Sequence, residues 1–401
     1  MDIIRRSILR SIVPFLAGFF ILLGVGPSQA AVFVQCGEDN PNPNKVCKHI
    51  AAGDGFITMG DGTVLYIFGF ADVTGSIDPM MDGMLAAQFT GPTVVLDEGD
   101  EFYLNLTNVG MVYRPDLFDP HTIHFHGFPQ ASNIFDGEPH GTMGINMGST
   151  LTYYYNIVEP GTFMYHCHVE ATEHMEMGMM ANLYVRPAQN RLANGTLLGT
   201  FTHNTGYKYA YNDNDGSTYY NVEFPIQMGS MDRYFHEQHI AVQPLPFHLL
   251  HTSYAVLNGR GYPDTVNPGL LPPQVDNDGI LLKDGNVHSQ RVSSLITASA
   301  GEKILLRISN LNVIQDFTLA TLGIPMKVVG RDAKLLRGPD GKDLFYTTNS
   351  ITLGSGETAD VILNVPGDAG GKTFFLYTTN LNYLSNDKED FGGMMTEIKI
   401  N

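Results

Sequence analysis

The sequence predicts an all-β protein, and three observations carry that expectation. Apolar or alternating runs are short, as in "FYLNLTNV", "LTYYYNIV", "ANLYVRP", "KILLRISNL", "DVILNVP" and "TFFLYTTN", and Gly, Pro, Asn and Asp separate them. No long stretch repeats at the helical period. The chain has 401 residues and 43% hydrophobic content, more than one ordinary domain needs and enough to fill two cores. The expected architecture is therefore two β-sandwich or barrel domains.

The N-terminal segment reads as a targeting signal. Arg5, Arg6 and Arg10 accompany an apolar stretch from Ile12 to Val25, and Ser28-Gln29-Ala30 forms a small-residue exit. Residues 1–30 are thus expected to be a signal peptide cut after Ala30, which would make the mature protein periplasmic or secreted. Within it "RRSILR" is similar to the twin-arginine export pattern. Removing Asp2 and the three arginines lowers the net charge from −18 to about −20, so nucleic acid is an unsuitable partner. In an exported chain Cys36 and Cys47 can form a disulfide, which leaves Cys167 as the odd thiol.

The polar stretch "RPAQNRLANGT", Arg186 to Thr196, is the best boundary candidate. It divides the mature chain into a first domain, 31–187, and a second, 188–401, each with a full set of strand-like runs. "AYNDNDGS", from Ala210 to Ser217, reads as a solvated loop.

Ligand-type side chains concentrate in the first half. "HTIHFHGF" supplies His121, His124 and His126, and "MYHCHVEATEHMEMGMM" supplies His166, Cys167, His168, His174 and Met179. Alternate residues of a strand share a face, so His124 and His126 point one way, and His166 and His168 point away from Cys167. One strand can thereby serve two metal centres. A thiolate, two imidazoles and a weak axial thioether form the ligand set of a blue-copper site, here Cys167, His121, His174 and Met179. The imidazoles of His124, His126, His166 and His168 suit a separate copper group. Zinc is the rival metal, but a cysteine between histidines with a methionine following favours copper.

These motifs resemble the cupredoxin domain of the multicopper oxidase family, and "GPTVVLDEGDEFYLNLTN", "GTFMYHCH", "LNGRGYPDT" and "LGSGETADVILNV" extend the resemblance over most of the mature chain. It implies two cupredoxin-like Greek-key domains. It also implies type 1 copper on His121, Cys167, His174 and axial Met179, with type 2 and type 3 copper on His124, His126, His166 and His168. Electrons from a small reductant, phenolic or metal ion, would pass from type 1 copper through Cys167 to His166 and His168, and so to dioxygen.

Two departures qualify that implication. Six residues separate Cys167 from His174, a spacing between those of most oxidases and of copper nitrite reductases. Nitrite reductases are similar at His121, His126 and His166 but carry aspartate where His124 stands and lack His168. In the second half, the family's histidine positions hold Gln315, Thr318 and Ala320 in "QDFTLATLG", and Tyr377, Thr378 and Thr379 in "FLYTTN". The chain alone therefore supplies half of an oxygen-reducing cluster. Completion is expected from a homo-oligomer, such as a trimer, from His236, His239, His248 and His251, or from another protein. An electron carrier or copper-binding protein without oxygen chemistry, and a nitrite reductase, are the alternative functions. Asp116, Asp119, Glu170, Glu173 and Glu176 crowd the type 1 histidines and could hold a metal cation as substrate, with Met80, Met81 and Met84 of "PMMDGM" as soft ligands for Cu(I).

Overall fold

Alternation along the stretch 101–110 sends Phe102, Leu104 and Leu106 to one face, and that face meets Phe125, Phe163 and Tyr165 from a second sheet. The computed structural model describes residues 43–401, apart from 130 and 243–244. The expected signal peptide and Cys36 lie outside the described residues. Cys47 is disulfide-bonded, and Cys167 is free and buried.

The first half contains β1 (Lys45–Thr58), β2 (Val64–Asp72), β3 (Val94–Asp97), β4 (Glu101–Gly110), β5 (His124–His126), β6 (Thr150–Asn156), β7 (Gly161–His166) and β8 (Met180–Arg186). They form two four-stranded sheets, β2-β1-β4-β6 and β3-β8-β7-β5. The core between them is aromatic, with Phe125 stacked on Tyr155 at 4.2 Å and Phe128 edge-on to Phe163 at 5.2 Å. Each such ring contributes roughly 1.5–3 kcal/mol by burial. This packing fixes β5 beside β7, with His124 opposite His166 and His126 opposite Met164.

The second half repeats the plan. One sheet is built from Tyr254–Leu257, Val222–Met231, Lys303–Asn310, Thr358–Asn364, Met326–Arg331, Lys334–Leu335 and Tyr346–Thr348. The other runs Ile296–Ala298, Met395–Ile400, Thr373–Thr378, Phe317–Leu322, Ser350–Leu353. Ile226, Leu306, Phe317, Leu319, Val361 and Leu376 fill the space between them.

Helices are minor, as the missing helical period requires: among the described residues they are α1 (Pro79–Gly83), α2 (Ala171–Glu176) and α3 (Arg233–His239). The segment 210–217 differs from its expectation. Asp213 is buried, and its carboxylate accepts from the backbone N–H of Asp215, Gly216 and Thr218 and from Gln189 Nε2. An aspartate that closes its own turn satisfies the charge locally, so burial is tolerated.

A buried polar network joins the back of β7 and β8 to the second half. Thr162 Oγ1 donates to Asp360 Oδ1 at 2.6 Å, Arg307 lies between Asp360 and Glu223, and Thr358 Oγ1 donates to the Thr162 carbonyl at 2.8 Å. Ser309 Oγ donates to Asn182 Oδ1 at 2.7 Å. β7, the strand that ends at His166, is therefore held on both of its sides.

Candidate metal centres

At the end of β7 the chain leaves the ladder after His166, and the next residue turns its side chain into the sandwich. Cys167 Sγ lies 3.2 Å from His174 Nδ1 and 3.8 Å from His121 Nδ1, and all three residues are buried. His121 is placed by a bridge to Ile145, upstream of β5, and His174 by α2. Burial pushes the Cys167 thiol up to about 11 and both imidazoles down to about 3. Three uncharged donors thus converge in a dry pocket, and His174 Nε2 has no hydrogen-bond partner. Such a set favours a soft or borderline cation, which would displace the thiol proton. Met179 is buried in the same core and is tied in by the main chain: its N–H donates to the His174 carbonyl at 2.8 Å, and its carbonyl accepts from Cys167 N–H at 3.1 Å.

The other face carries a second set. One nitrogen from each of His124, His126 and His166 falls within 4.8 Å of the others. Hydrogen bonds select those nitrogens. His124 Nδ1 donates to the Asp136 carbonyl at 2.7 Å and His166 Nδ1 to the Cys167 carbonyl at 2.8 Å, which leaves each Nε2 free for metal. His126 Nδ1 lies 3.4 Å from His166 Nε2, while its own Nε2 edge faces Gly356, where an added Cβ would come within 2.7 Å. His168 stands beside them, its ring 5.0 Å from that of His124 and 5.5 Å from that of His166. Burial, and then the neighbouring imidazoles, push His166 down to about 3 and lower His126 as well, so these two rings favour the neutral form that binds a cation.

The remaining expected ligands are placed elsewhere. His236 is fully buried, with Nδ1 against the Tyr66 carbonyl and Nε2 against that of Glu176. His239 Nε2 meets Glu173 Oε1 at 2.5 Å, His251 pairs with Asp232 at 3.0 Å, and His248 is exposed. None of the four joins the His124 set in this chain: α3 lays His236 and His239 over the Cys167 side, where Phe68 touches the rings of both His174 and His239. Glu173 and Glu176 do not face outward to hold a cation either. Glu173 binds His239, and Glu176, its carboxyl raised to about 8 by burial, accepts from Asp232 N–H. Asp116 pairs with Arg114, so only Asp119 and Glu170 remain near His174. Met80 and Met81 belong to α1, and the carbonyls of Met81 and Asp82 in it and of Met84 just after it accept from Lys283 Nζ.

Two supporting groups escaped the sequence. Thr122 N–H donates to Cys167 Sγ at 3.5 Å while Thr122 Oγ1 accepts from His168 N–H, so one threonine touches both centres. Asp136 acts through its backbone, and the "FDGE" turn was the only available signal for it.

In the second half, Phe317–Leu322 and Thr373–Thr378 take the places of β5 and β7, with Ala320 opposite Tyr377 and Leu319 opposite Thr378. No histidine, cysteine or carboxylate stands at those positions. The residues present therefore fit copper at the Cys167 centre and fit one side of a three-copper group, not the whole of one.

Family models described as multicopper oxidase match residues 80–190 and 252–398. Laccase-4 of Thanatephorus cucumeris is 26% identical over 246 residues, 60% of this chain and 38% of that protein. The aligned regions span 16 to 38% of the length of three fungal oxidases that the chain resembles. In fold the chain is similar to the blue copper oxidase of Nitrosomonas europaea, with a TM-score of 0.61, 20% identity, and coverage of 89% of this chain and 86% of that one. It is also similar to the copper nitrite reductase of Nitrosomonas europaea, with a TM-score of 0.57, 16% identity, and coverage of 89% and 94%. At such identities these two likenesses establish the cupredoxin fold. Together with the matches over both halves and the ligand geometry, they lead to one conclusion: the chain belongs to the multicopper oxidase family, whose cofactor is copper.

Proposed function

We propose that the chain is an exported copper oxidoreductase that takes electrons from a small reductant, phenolic or metal ion, at the Cys167 centre and delivers them toward dioxygen at the histidine set. The observation that carries this reading is the adjacency of the two sets: Cys167 and His166 are consecutive residues, with side chains on opposite faces. Copper, when bound, supplies one-electron redox chemistry. The protein supplies the connection, a covalent run from Sγ through the backbone to the His166 ring, reinforced by the 2.8 Å hydrogen bond from His166 Nδ1 to the Cys167 carbonyl. Asp119 and Glu170 offer negative charge near His174, which suits a cationic or hydrogen-bond-donating reductant.

The test is reductant-driven oxygen uptake by the purified, copper-loaded protein, with phenols, Fe(II) and Cu(I) as donors. Sustained uptake supports the reading. A coloured, reducible protein that consumes no oxygen would sink it in favour of an electron carrier, a role consistent with the lack of ligand-type residues where Ala320 pairs with Tyr377. Nitrite-dependent formation of nitric oxide would favour the reductase instead. Assembly into a homo-oligomer, a trimer being the expected form, belongs to the same reading, and sedimentation measures it.

A further inference from the structure

The histidine set is too small for the metal group that such a fold usually carries. A catalytic metal ion takes about three protein ligands, so three ions would need more than twice the four imidazoles present. The ligand-free pairing of Ala320 with Tyr377 supplies none of the rest within this chain, and the same strands of a second copy would supply none either. The geometry instead suits one ion. Two nitrogens bound at about 2.0–2.1 Å in a tetrahedral arrangement lie roughly 3.3 Å apart. His126 Nδ1 and His166 Nε2 are 3.4 Å apart, and the tautomer imposed on His124 leaves its Nε2 as the third donor. The second half also approaches on one side: Gly356 lies against the His126 edge, with no room for a side chain at that position.

We propose that His124, His126 and His166 form a single-copper site within one chain, with His168 beside it and one position open, so that the protein carries two coppers per chain. This rests on the functional reading above for its placement next to Cys167, but it is tested separately.

The measurement is copper per chain in the native assembly, by metal analysis against quantitative amino-acid analysis, together with electron paramagnetic resonance and visible absorption. Wild type should hold two coppers, one responsible for an intense visible band and one giving a signal without such a band. Cys167→Ser should hold one copper and no band. His126→Ala should also hold one copper but keep the band, which shows in the same sample that the first half is folded. Three or four coppers per chain, a single copper with the band intact, or zinc in the second site would each overturn the single-copper proposal while leaving the Cys167 centre standing. Oxygen uptake tests the functional reading independently of this count.

Discussion

Gly356 has φ +84°, in the left-handed region, and sits where a methyl group would press on His126 Nε2. Gly356→Ala should therefore displace the His126 ring and lower copper occupancy of the second centre, with the visible band of the Cys167 centre retained. Metal analysis beside the absorption spectrum separates the two effects, and unchanged occupancy would show that the loop is merely adjacent. Cys167→Ser should abolish the band, because the thiolate-to-copper bond is its source. A third residue reports on folding. His49 is buried and accepts or donates to Thr107 Oγ1 at 2.7 Å, and burial holds its pKa at about 4 against an ordinary 6.5. Between those values the unfolded chain binds a proton that the folded chain does not, so stability falls as pH drops from 6.5 to 4. The loss attributable to this residue is on the order of 3 kcal/mol. His49→Gln should flatten that part of the stability curve, as followed by urea denaturation at a series of pH values. At this scale the grouping of the candidate ligands was legible: period-2 alternation separates Cys167 from His166 and His168 whether or not the ladder continues, and it stops at His166. Thr122 was not legible, because a backbone N–H aimed at sulfur leaves no mark on composition.

β7 is the element on which both centres depend, and Thr162 near its start is fastened to Asp360 and Arg307 of the second half. Arg307 and Asp360 are fully buried, so Asp360→Asn would leave a guanidinium short of one partner. Breaking a buried pair in this way costs about 3–5 kcal/mol. Urea denaturation should show a loss of that size, and a change under about 1 kcal/mol would mean that Glu223 alone satisfies Arg307. The loop after β7 was the least legible element. Glu170, Glu173 and Glu176 around His174 read as a cluster open to a metal cation or to solvent. In the structure Glu170 takes a left-handed conformation, α2 follows, and Glu173 and Glu176 turn inward to α3. Their partners lie roughly sixty residues away in sequence, and single-sequence patterns carry no information on such pairings. α3 itself has a legible start, Asp232, whose carboxylate caps Tyr234 and Phe235 N–H, but nothing in its sequence names the surface it covers.

For the whole molecule, the all-β class followed from short runs and turn residues, and two sheet pairs with separate cores are what those runs build. That the second half lacks histidine at the positions matching the first-half clusters was equally plain in the sequence, because Gln315, Thr318, Ala320 and Tyr377 to Thr379 stand there. The proposed export belongs to this scale too. Replacing both Arg5 and Arg6 with Lys should stop appearance of the mature protein outside the cytoplasm, since the twin-arginine route reads guanidinium groups and not charge alone. Cell fractionation decides it, and undiminished export would point to the general secretory route. Chelation of copper should lower the melting temperature and do so less in Cys167→Ser, because a ligand that binds only the folded state stabilises it. The complete burial of His174 has a further consequence. Under the proposed function, a donor at the surface would not touch the imidazole, and its electron would cross at least one layer of protein in an outer-sphere transfer. The rate then follows driving force and distance more than the shape of the donor. Selection among donors would then rest in part on charge at the rim, where Asp119 and Glu170 stand, and activity should decline with ionic strength for cationic donors but not for neutral ones.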